Sequence, residues 1–187
     1  VYTVPGCDGM NYSSVILVRE GSSAAKVEDL RGTRVAFNGT DSQSGYNCLR
    51  AMVAPLAIDG RFFGQALESG RHLTSATMVS DGRADVCAID CVTWALAVAT
   101  NNAPPGLRIA LMSPSAPSLP YVTAAGRSAQ EKHAIADALR AVSSDPALAD
   151  VREQLMIRGF EFPSRAAYSP IAQMHDSARS EGYPRLA

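Results

Sequence analysis

Apolar segments alternate with loops of small residues over the first hundred positions of the chain. Runs of β-branched and aliphatic residues predict strands, and apolar residues that recur with a helical period predict helices between them. The predicted strands are residues 12–18, 34–37, 61–68 and 85–89, and the predicted helices are a short turn at 27–30 and segments 45–56, 71–80 and 90–100. This alternation predicts an α/β fold in which a parallel-dominated sheet is flanked by helices.

The pattern changes after residue 100, where the loop Asn101-Asn-Ala-Pro-Pro-Gly106 precedes a predicted strand at 107–112. A Pro- and Ser-rich crossing at 113–120 leads to another predicted strand at 121–124. Only helices are predicted beyond it, at 129–142, 145–157 and 169–180, the last with Ser169 as N-cap and Pro170 at the first helical position. We therefore expect residues 1–115 to form an α/β ligand-binding lobe with a leading crossover strand, and residues 116–187 to be the returning, mainly helical part of the other lobe.

Charged side chains are nearly balanced, with 17 Lys and Arg against 18 Asp and Glu. The chain has no broad basic field, so we expect no nucleic-acid partner, and any anion site must be local. No apolar run is long enough to span a membrane. The chain begins at Val1 without an initiator Met or a signal-peptide pattern, so we expect a mature or truncated product.

The four cysteines form neither a disulfide framework nor a zinc motif. No His lies at ligand spacing from Cys87 and Cys91, which argues against a metal site. The expected role of these two, and of Cys48, is that of a small buried apolar residue. Cys7 differs because its turn, Pro5-Gly-Cys-Asp-Gly9, is of exposed composition, and its thiol either pairs with another or stays free.

The loop Asn38-Gly-Thr-Asp-Ser-Gln-Ser-Gly-Tyr-Asn47 joins a predicted strand to a predicted helix. Its hydroxyl groups at Thr40, Ser42 and Ser44 lie where a helix leaves its first backbone N–H groups unpaired, and Gly45 lets a ligand approach the backbone. The helix dipole adds partial positive charge, so the loop is suited to an oxyanion although it contains no Lys or Arg. An ordinary Ser N-cap is the alternative interpretation of this motif taken alone.

Two further strand-to-helix junctions carry polar residues of a similar kind. His72 ends the junction Ser69-Gly-Arg-His72, and Asp90 begins the junction Asp90-Cys-Val-Thr93. Parallel strands end at the same edge of a sheet, so we expect all three junctions to meet there. His72 would then donate to an oxyanion, and Asp90 would cap its helix or accept from an amine or hydroxyl group of the ligand. Taken singly, a satisfied surface His and a simple N-cap are the alternatives.

Five segments, in register along nearly the whole chain, resemble the PhnD-like substrate-binding proteins of phosphate, phosphite and phosphonate ABC transporters. They are Asp29-Leu-Arg-Gly-Thr-Arg-Val-Ala-Phe37, Ser42-Gln-Ser-Gly45, Ser69-Gly-Arg-His72, Gly82-Arg-Ala-Asp-Val86 with Ala88-Ile-Asp90, and Pro117-Ser-Leu-Pro-Tyr121. The resemblance implies a two-lobed type 2 periplasmic binding protein fold. It also implies that one lobe is incomplete here, because the N-terminal portion of the family precedes the point where this chain begins.

The same resemblance implies a set of ligand-binding residues. In the family, the Ser-rich loop and its helix N-terminus grip the phosphonate, the His assists, and the Asp meets an amino group of the ligand. Two departures bear on specificity, since Gln43 replaces the usual Thr and Arg71 replaces a Ser. By resemblance the ligand-binding residues are Ser42, Gln43, Ser44, Gly45, His72 and Asp90, with Tyr12 as a weaker candidate.

The function implied by the resemblance is that of a solute-binding protein capturing a small oxyanion, such as phosphonate, phosphite or phosphate, between two lobes. The implied partners are that anion and an ABC permease and ATPase, and the implied location is periplasmic or otherwise extracytoplasmic. No cofactor, metal or catalytic residue is expected. One alternative is the ligand-sensing domain of a regulator with the same fold. Another is a hydrolase or transferase acting on a phosphorylated small molecule, with His72, Asp90 and a nearby Ser, although the sequence has no Gly-x-Ser-x-Gly elbow or nucleotide loop.

Overall fold

Short runs of aliphatic and β-branched residues form a central five-stranded sheet in the computed structural model, which describes residues 1–187. The strands are β3 (Ser14–Arg19), β4 (Arg34–Phe37), β5 (Gln65–Glu68), β6 (Val86–Asp90) and β7 (Leu107–Met112). Their order is β5-β4-β6-β3-β7. β4 pairs in parallel with β5 and β6, whereas β3 is antiparallel to β6 and β7. Only β3 therefore runs against the others, and the predicted parallel-dominated α/β fold is confirmed.

Both faces of the sheet are buried at its three central strands, β4, β6 and β3. Ile16 and Val18 point into one hydrophobic core, and Val15 and Leu17 point into a second core on the opposite face. This alternation follows from the two-residue period of a strand, and it explains why nearly every position of β3 is apolar.

Three helices follow β4, β5 and β6 and leave the same edge of the sheet. They are α1 (Cys48–Val53), α2 (His72–Ser80) and α3 (Cys91–Ala99). A π-helical turn at Gln43–Asn47 leads into α1, and a 3-10 turn at Ala54–Leu56, which contains Pro55, ends it. The predicted helices 45–56, 71–80 and 90–100 thus exist, although the first combines three helical geometries.

The chain also forms a second sheet of three short antiparallel strands. It contains β1 (Cys7–Asp8), β2 (Asn11–Tyr12) and β8 (Ala116–Pro117). The predicted strand 12–18 is therefore broken at Ser13, whose backbone binds Gly6 and Cys91 instead of continuing the strand. The predicted strand 121–124 is wrong, because the chain pairs earlier, through β8.

The prediction for residues 61–68 was too long by four residues at its start. The N–H groups of Phe62 and Phe63 both donate to the carbonyl oxygen of Ala187, at 2.6 and 2.9 Å, rather than to a neighbouring strand. Pairing begins only at Gln65, which lies opposite Arg34 of β4.

The last third of the chain contains α4 (Ala129–Ser144), α5 (Ala149–Gln154) and α6 (Ser169–Ser180). α4 buries no residue, whereas α6 packs against α1 and contributes Ala178 to the core. The bounds of α6 match the predicted residues 169–180, but Tyr168 rather than Ser169 is the N-cap. The division of the chain at residue 115 stays a prediction. No helix has the length and hydrophobicity needed to cross a membrane.

The buried Arg50 of α1 holds the chain that follows α6. Its guanidinium is fully inaccessible and donates to the carbonyl oxygens of Tyr183, Pro184 and His175 and to the side chain of Asn47. Tyr183 and Leu186 consequently belong to the same core as the central strands.

Candidate functional site

The three strand-to-helix junctions meet at one edge of the central sheet. Oγ of Ser44 is hydrogen-bonded to Nε2 of His72 at 3.2 Å, and Oδ2 of Asp90 lies 3.4 Å from the same nitrogen. The residues follow β4, β5 and β6, which are parallel neighbours, so the topology alone brings them together.

A hydrogen bond to the side chain of Ser42 stabilises the Ser-rich turn. Oγ of Ser42 accepts a hydrogen bond from the N–H group of Gly45 at 3.0 Å, and the N–H of Asn47 donates to the carbonyl oxygen of Ser42. This wider π-type turn leaves the N–H groups of Gln43 and Ser44 without an acceptor in the chain. Unpaired N–H groups at the start of a helix are donors suited to an anion.

Gly45 brings the turn into contact with the neighbouring junction. A β carbon added at Gly45 would overlap the carboxamide of Asn38 and lie 3.0 Å from Cε1 of His72. The backbone of Gly45 has no positive φ, so glycine is required here for close approach rather than for conformation.

Buried polar atoms without hydrogen-bond partners gather around these contacts. The chain has four such side-chain atoms, and three of them are the hydroxyl of Tyr12, Oδ1 of Asn38 and Nδ1 of His72. Buried polar groups are normally paired, because an unpaired one costs about 1–3 kcal/mol. We call Tyr12, Asn38, Ser44, Gly45, His72 and Asp90 the edge cluster.

Burial favours the neutral forms of two of these groups. It lowers the pKa of His72 below its ordinary value, against the opposing influence of the Asp90 carboxylate. Burial also raises the pKa of Tyr12 far above its ordinary value, although the nearby Ser44 hydroxyl partly offsets this shift. The edge cluster thus offers neutral hydroxyl and amide donors beside one acidic side chain.

The arrangement of Ser44, His72 and Asp90 differs from a catalytic triad. In a triad the acidic residue holds one ring nitrogen while the nucleophilic Ser contacts the other. Here Ser44 and Asp90 share Nε2, and Nδ1 has no partner. Oδ1 of Asp90 also accepts from the N–H group of Thr93 at 2.7 Å, so this carboxylate acts as the N-cap of α3.

The side chain of Gln43 points away from the edge cluster. Its Nε2 donates to Sδ of Met174 at 3.4 Å, and its Oε1 accepts from Nδ2 of Asn47 at 2.7 Å. Ser42 supports the turn through its cap. Of the residues selected from the sequence, the structure therefore brings five together: Tyr12, Ser44, Gly45, His72 and Asp90.

Sequence reasoning did not select Asn38 as a site residue. The signal was available, because Asn38 is the first residue after β4 and begins the same loop. No group of three or more His, Cys, Asp or Glu side chains is arranged to hold a metal ion.

Several solved structures share this fold over nearly the whole chain. The search of curated proteins found no match to this chain. A binding-protein component of an ABC phosphonate transporter from Pseudomonas aeruginosa has a TM-score of 0.78 at 19% identity, over 97% of this chain and 62% of that one. PhnD1 from Prochlorococcus marinus, in complex with methylphosphonate, has a TM-score of 0.74 at 15% identity, over 96% and 73%. A Xanthomonas citri protein bound to ATP has a TM-score of 0.68 at 18% identity, over 97% and 70%. The chain thus spans 62% to 73% of the length of these proteins.

A sequence profile gives the family directly. The profile describes the periplasmic substrate-binding protein of phosphonate ABC transporters, and it matches residues 5–168. Because the match extends over most of the 187 residues, the chain belongs to the phosphonate-binding family of periplasmic substrate-binding proteins of ABC transporters.

Proposed function

We propose that this chain is the solute-binding component of an ABC transporter and that it holds a small phosphonate-like oxyanion at the edge cluster. The observation that carries the proposal is the gathering of three unpartnered buried polar atoms, on Tyr12, Asn38 and His72, around the Ser44 hydroxyl. The partners of such a component are a permease and an ATPase, and its location is extracytoplasmic.

Neutral donors supply the anion-binding groups in this proposal. The hydroxyl of Ser44, the hydroxyl of Tyr12 and the free N–H groups of Gln43 and Ser44 surround the start of the helical turn. Each hydrogen bond to a charged acceptor contributes about 1.5–3 kcal/mol. Three such bonds sum to about 4.5–9 kcal/mol, which corresponds to a Kd between about 1 mM and somewhat below about 1 μM without any Lys or Arg.

Asp90 limits the kind of anion that fits. Its side chain is only 8% exposed and lies 3.4 Å from His72, so an oxyanion bound at Ser44 would meet a buried carboxylate nearby. Like charges at such a distance repel, whereas an amine on the ligand would be attracted to Asp90. The edge cluster therefore favours a zwitterionic aminoalkylphosphonate over a bare phosphate dianion.

Isothermal titration calorimetry with methylphosphonate, 2-aminoethylphosphonate and inorganic phosphate tests the proposal. We expect Ser44→Ala to weaken phosphonate binding about tenfold or more, since that change corresponds to one lost hydrogen bond. Ser180→Ala is the matched control, because its hydroxyl lies at the exposed end of α6 and bonds only within that helix. Equal affinities for wild type and Ser44→Ala would refute the proposed site.

The same variants separate binding from catalysis. We expect no turnover of simple phosphate esters by the wild-type chain, because His72 lacks the carboxylate that a triad places on its second nitrogen. Turnover that disappears in Ser44→Ala would instead favour a hydrolase.

A further inference from the structure

Two cysteines that are far apart in the chain lie side by side in the fold. Sγ of Cys7 and Sγ of Cys91 are 3.5 Å apart, although 84 positions separate them in sequence. Both are free thiols in the structure. We propose that Cys7 and Cys91 form a disulfide bond when the protein reaches an oxidising compartment.

The backbone segments that carry the two thiols are held close together. A β carbon built on Gly6, next to Cys7, would lie 3.4 Å from both Cβ and Sγ of Cys91. The two chains are tied together by Ser13, whose N–H donates to the carbonyl oxygen of Gly6 at 2.8 Å and whose own carbonyl accepts from the N–H of Cys91 at 3.0 Å. Sulfur atoms in a disulfide are about 2.05 Å apart, so the two Sγ atoms must approach by a further distance of about 1.5 Å.

The other two cysteines have no comparable partner. The thiol of Cys48 donates to the carbonyl oxygen of Ser44 at 2.9 Å, and Cys87, although it belongs to the same hydrophobic core as Cys91, is completely buried and has no hydrogen-bonded thiol partner. Burial raises the pKa of both thiols, and burial together with Cys91 also raises the pKa of Cys7 to about 12, so what distinguishes Cys7 is its partial exposure and its nearness to Cys91. The proximity of Cys7 and Cys91 is therefore specific to that pair.

The compartment supplies the oxidant. Disulfides form and persist in the periplasm and outside cells, and the family to which this chain belongs is periplasmic. The inference rests on that location and not on the identity of the ligand, so it fails or succeeds independently of the proposed binding site.

The reaction is a two-step exchange with a disulfide oxidant. Cys7 is the more accessible of the two, so the small fraction of Cys7 that is thiolate attacks one sulfur of the oxidant, forms a mixed disulfide and releases one thiol, and its raised pKa makes this step slow. The Cys91 thiolate then attacks Sγ of Cys7 and releases the second thiol. The protein loses two electrons and two protons, and the oxidant gains both as it is reduced to two thiols.

The bond would fasten β1 to the first residue of α3. Cys91 directly follows Asp90, whose carboxylate caps that helix and faces His72. The oxidised protein should therefore hold the start of α3 more firmly against the second sheet. A loop this long constrains the unfolded chain strongly, so we expect the oxidised form to melt about 5–15 °C above the reduced form.

Thiol counting on the whole chain tests the inference. The protein is incubated with glutathione disulfide at pH 8, denatured, treated with iodoacetamide and analysed by mass spectrometry. We expect two alkylated cysteines in the oxidised wild type instead of the four present after reduction, together with a peptide that links Cys7 to Cys91. Cys87→Ala serves as the matched control and should still give the linked peptide, whereas Cys7→Ser should lose it.

Two results would overturn the inference. One is alkylation of all four cysteines when wild type that has been oxidised for a long time is denatured and treated with iodoacetamide. The other is a disulfide between two molecules through Cys7, seen as a dimer in non-reducing electrophoresis. Either would show that the two thiols do not reach bonding geometry within one chain.

Discussion

The close packing at Gly45 makes Gly45→Ala a sharp test of the edge cluster. In an ordinary helix the change is favourable, because alanine has the better helix propensity by about 0.5–1 kcal/mol. At this position the new methyl group overlaps the carboxamide of Asn38 and lies 3.0 Å from the ring of His72. Both side chains must move outward, and each carries one of the unpartnered buried atoms of the edge cluster.

The expected magnitude follows from these two opposing effects. Overpacking costs about 1–3 kcal/mol, so after the gain in helix propensity the free energy of unfolding should fall by no more than about 2.5 kcal/mol. Binding should suffer more than folding. Displacing the ring of His72 breaks its contact with Ser44, and one lost hydrogen bond to a charged ligand of about 1.5–3 kcal/mol corresponds to an affinity loss of about 10-fold to 100-fold.

Calorimetry with methylphosphonate and urea denaturation measure the two effects separately. Gly126→Ala is the matched control, because no atom lies within 4 Å of the added β carbon and its backbone has no positive φ. We expect that control to bind and unfold like the wild type. If Gly45→Ala remained folded and bound the phosphonate within twofold of the wild type, the reasoning about close packing at this edge would be refuted.

Three further predictions concern other groups. An anion bound beside the neutral His72 should raise the lowered pKa of His72, so binding should be accompanied by proton uptake. The affinity should then weaken as the pH rises through the pKa that His72 has in the complex. Calorimetry in buffers of different ionisation enthalpy measures this proton uptake, which should be smaller for His72→Gln. The guanidinium of Arg34, and to a smaller extent that of Arg19, holds the pKa of Asp85 well below its usual value. Asp85→Asn should therefore lower the free energy of unfolding by about 1–2 kcal/mol after allowance for solvent screening. That stabilisation is present above about pH 4 and is lost as the pH falls below it, so urea titrations at pH 7 and pH 3 should show the difference between wild type and variant shrinking. Arg50→Ala removes the buried guanidinium and should lower the free energy of unfolding by about 2–4 kcal/mol. It should also speed digestion of the C-terminal residues by carboxypeptidase, and unchanged digestion would contradict the role given to Arg50.

Local patterns predicted the parts of the fold that local forces determine. The strands 34–37 and 107–112 match β4 and β7 because each apolar run is bounded by glycine or polar residues. The break at Ser13 was not predictable, since it comes from backbone bonds to Gly6 and to Cys91. The late start of β5 has a similar cause, because the partner of Phe62 lies at the far end of the chain.

In the candidate site, too, some features were predictable from the sequence and others depend on distant contacts. Ser44, His72 and Asp90 were placed together correctly, because parallel topology brings the ends of successive strands to one edge. The direction of the Gln43 side chain depends on Met174 of α6, which no pattern near Gln43 reveals. Roles in ligand binding remain proposals for all of these residues.

The bracing of the Ser-rich turn by α6 has a consequence for the order of events as the protein folds. Nδ2 of Asn47 donates to the carbonyl oxygen of Ile171, 124 positions later, and Gln43 reaches Met174 of the same helix. A nascent chain that has emerged only as far as α5 lacks this brace and cannot yet hold the turn in its final shape. Contacts over such separations form late. Phosphonate added during refolding should therefore slow the unfolding of the finished protein while leaving the rate of folding almost unchanged.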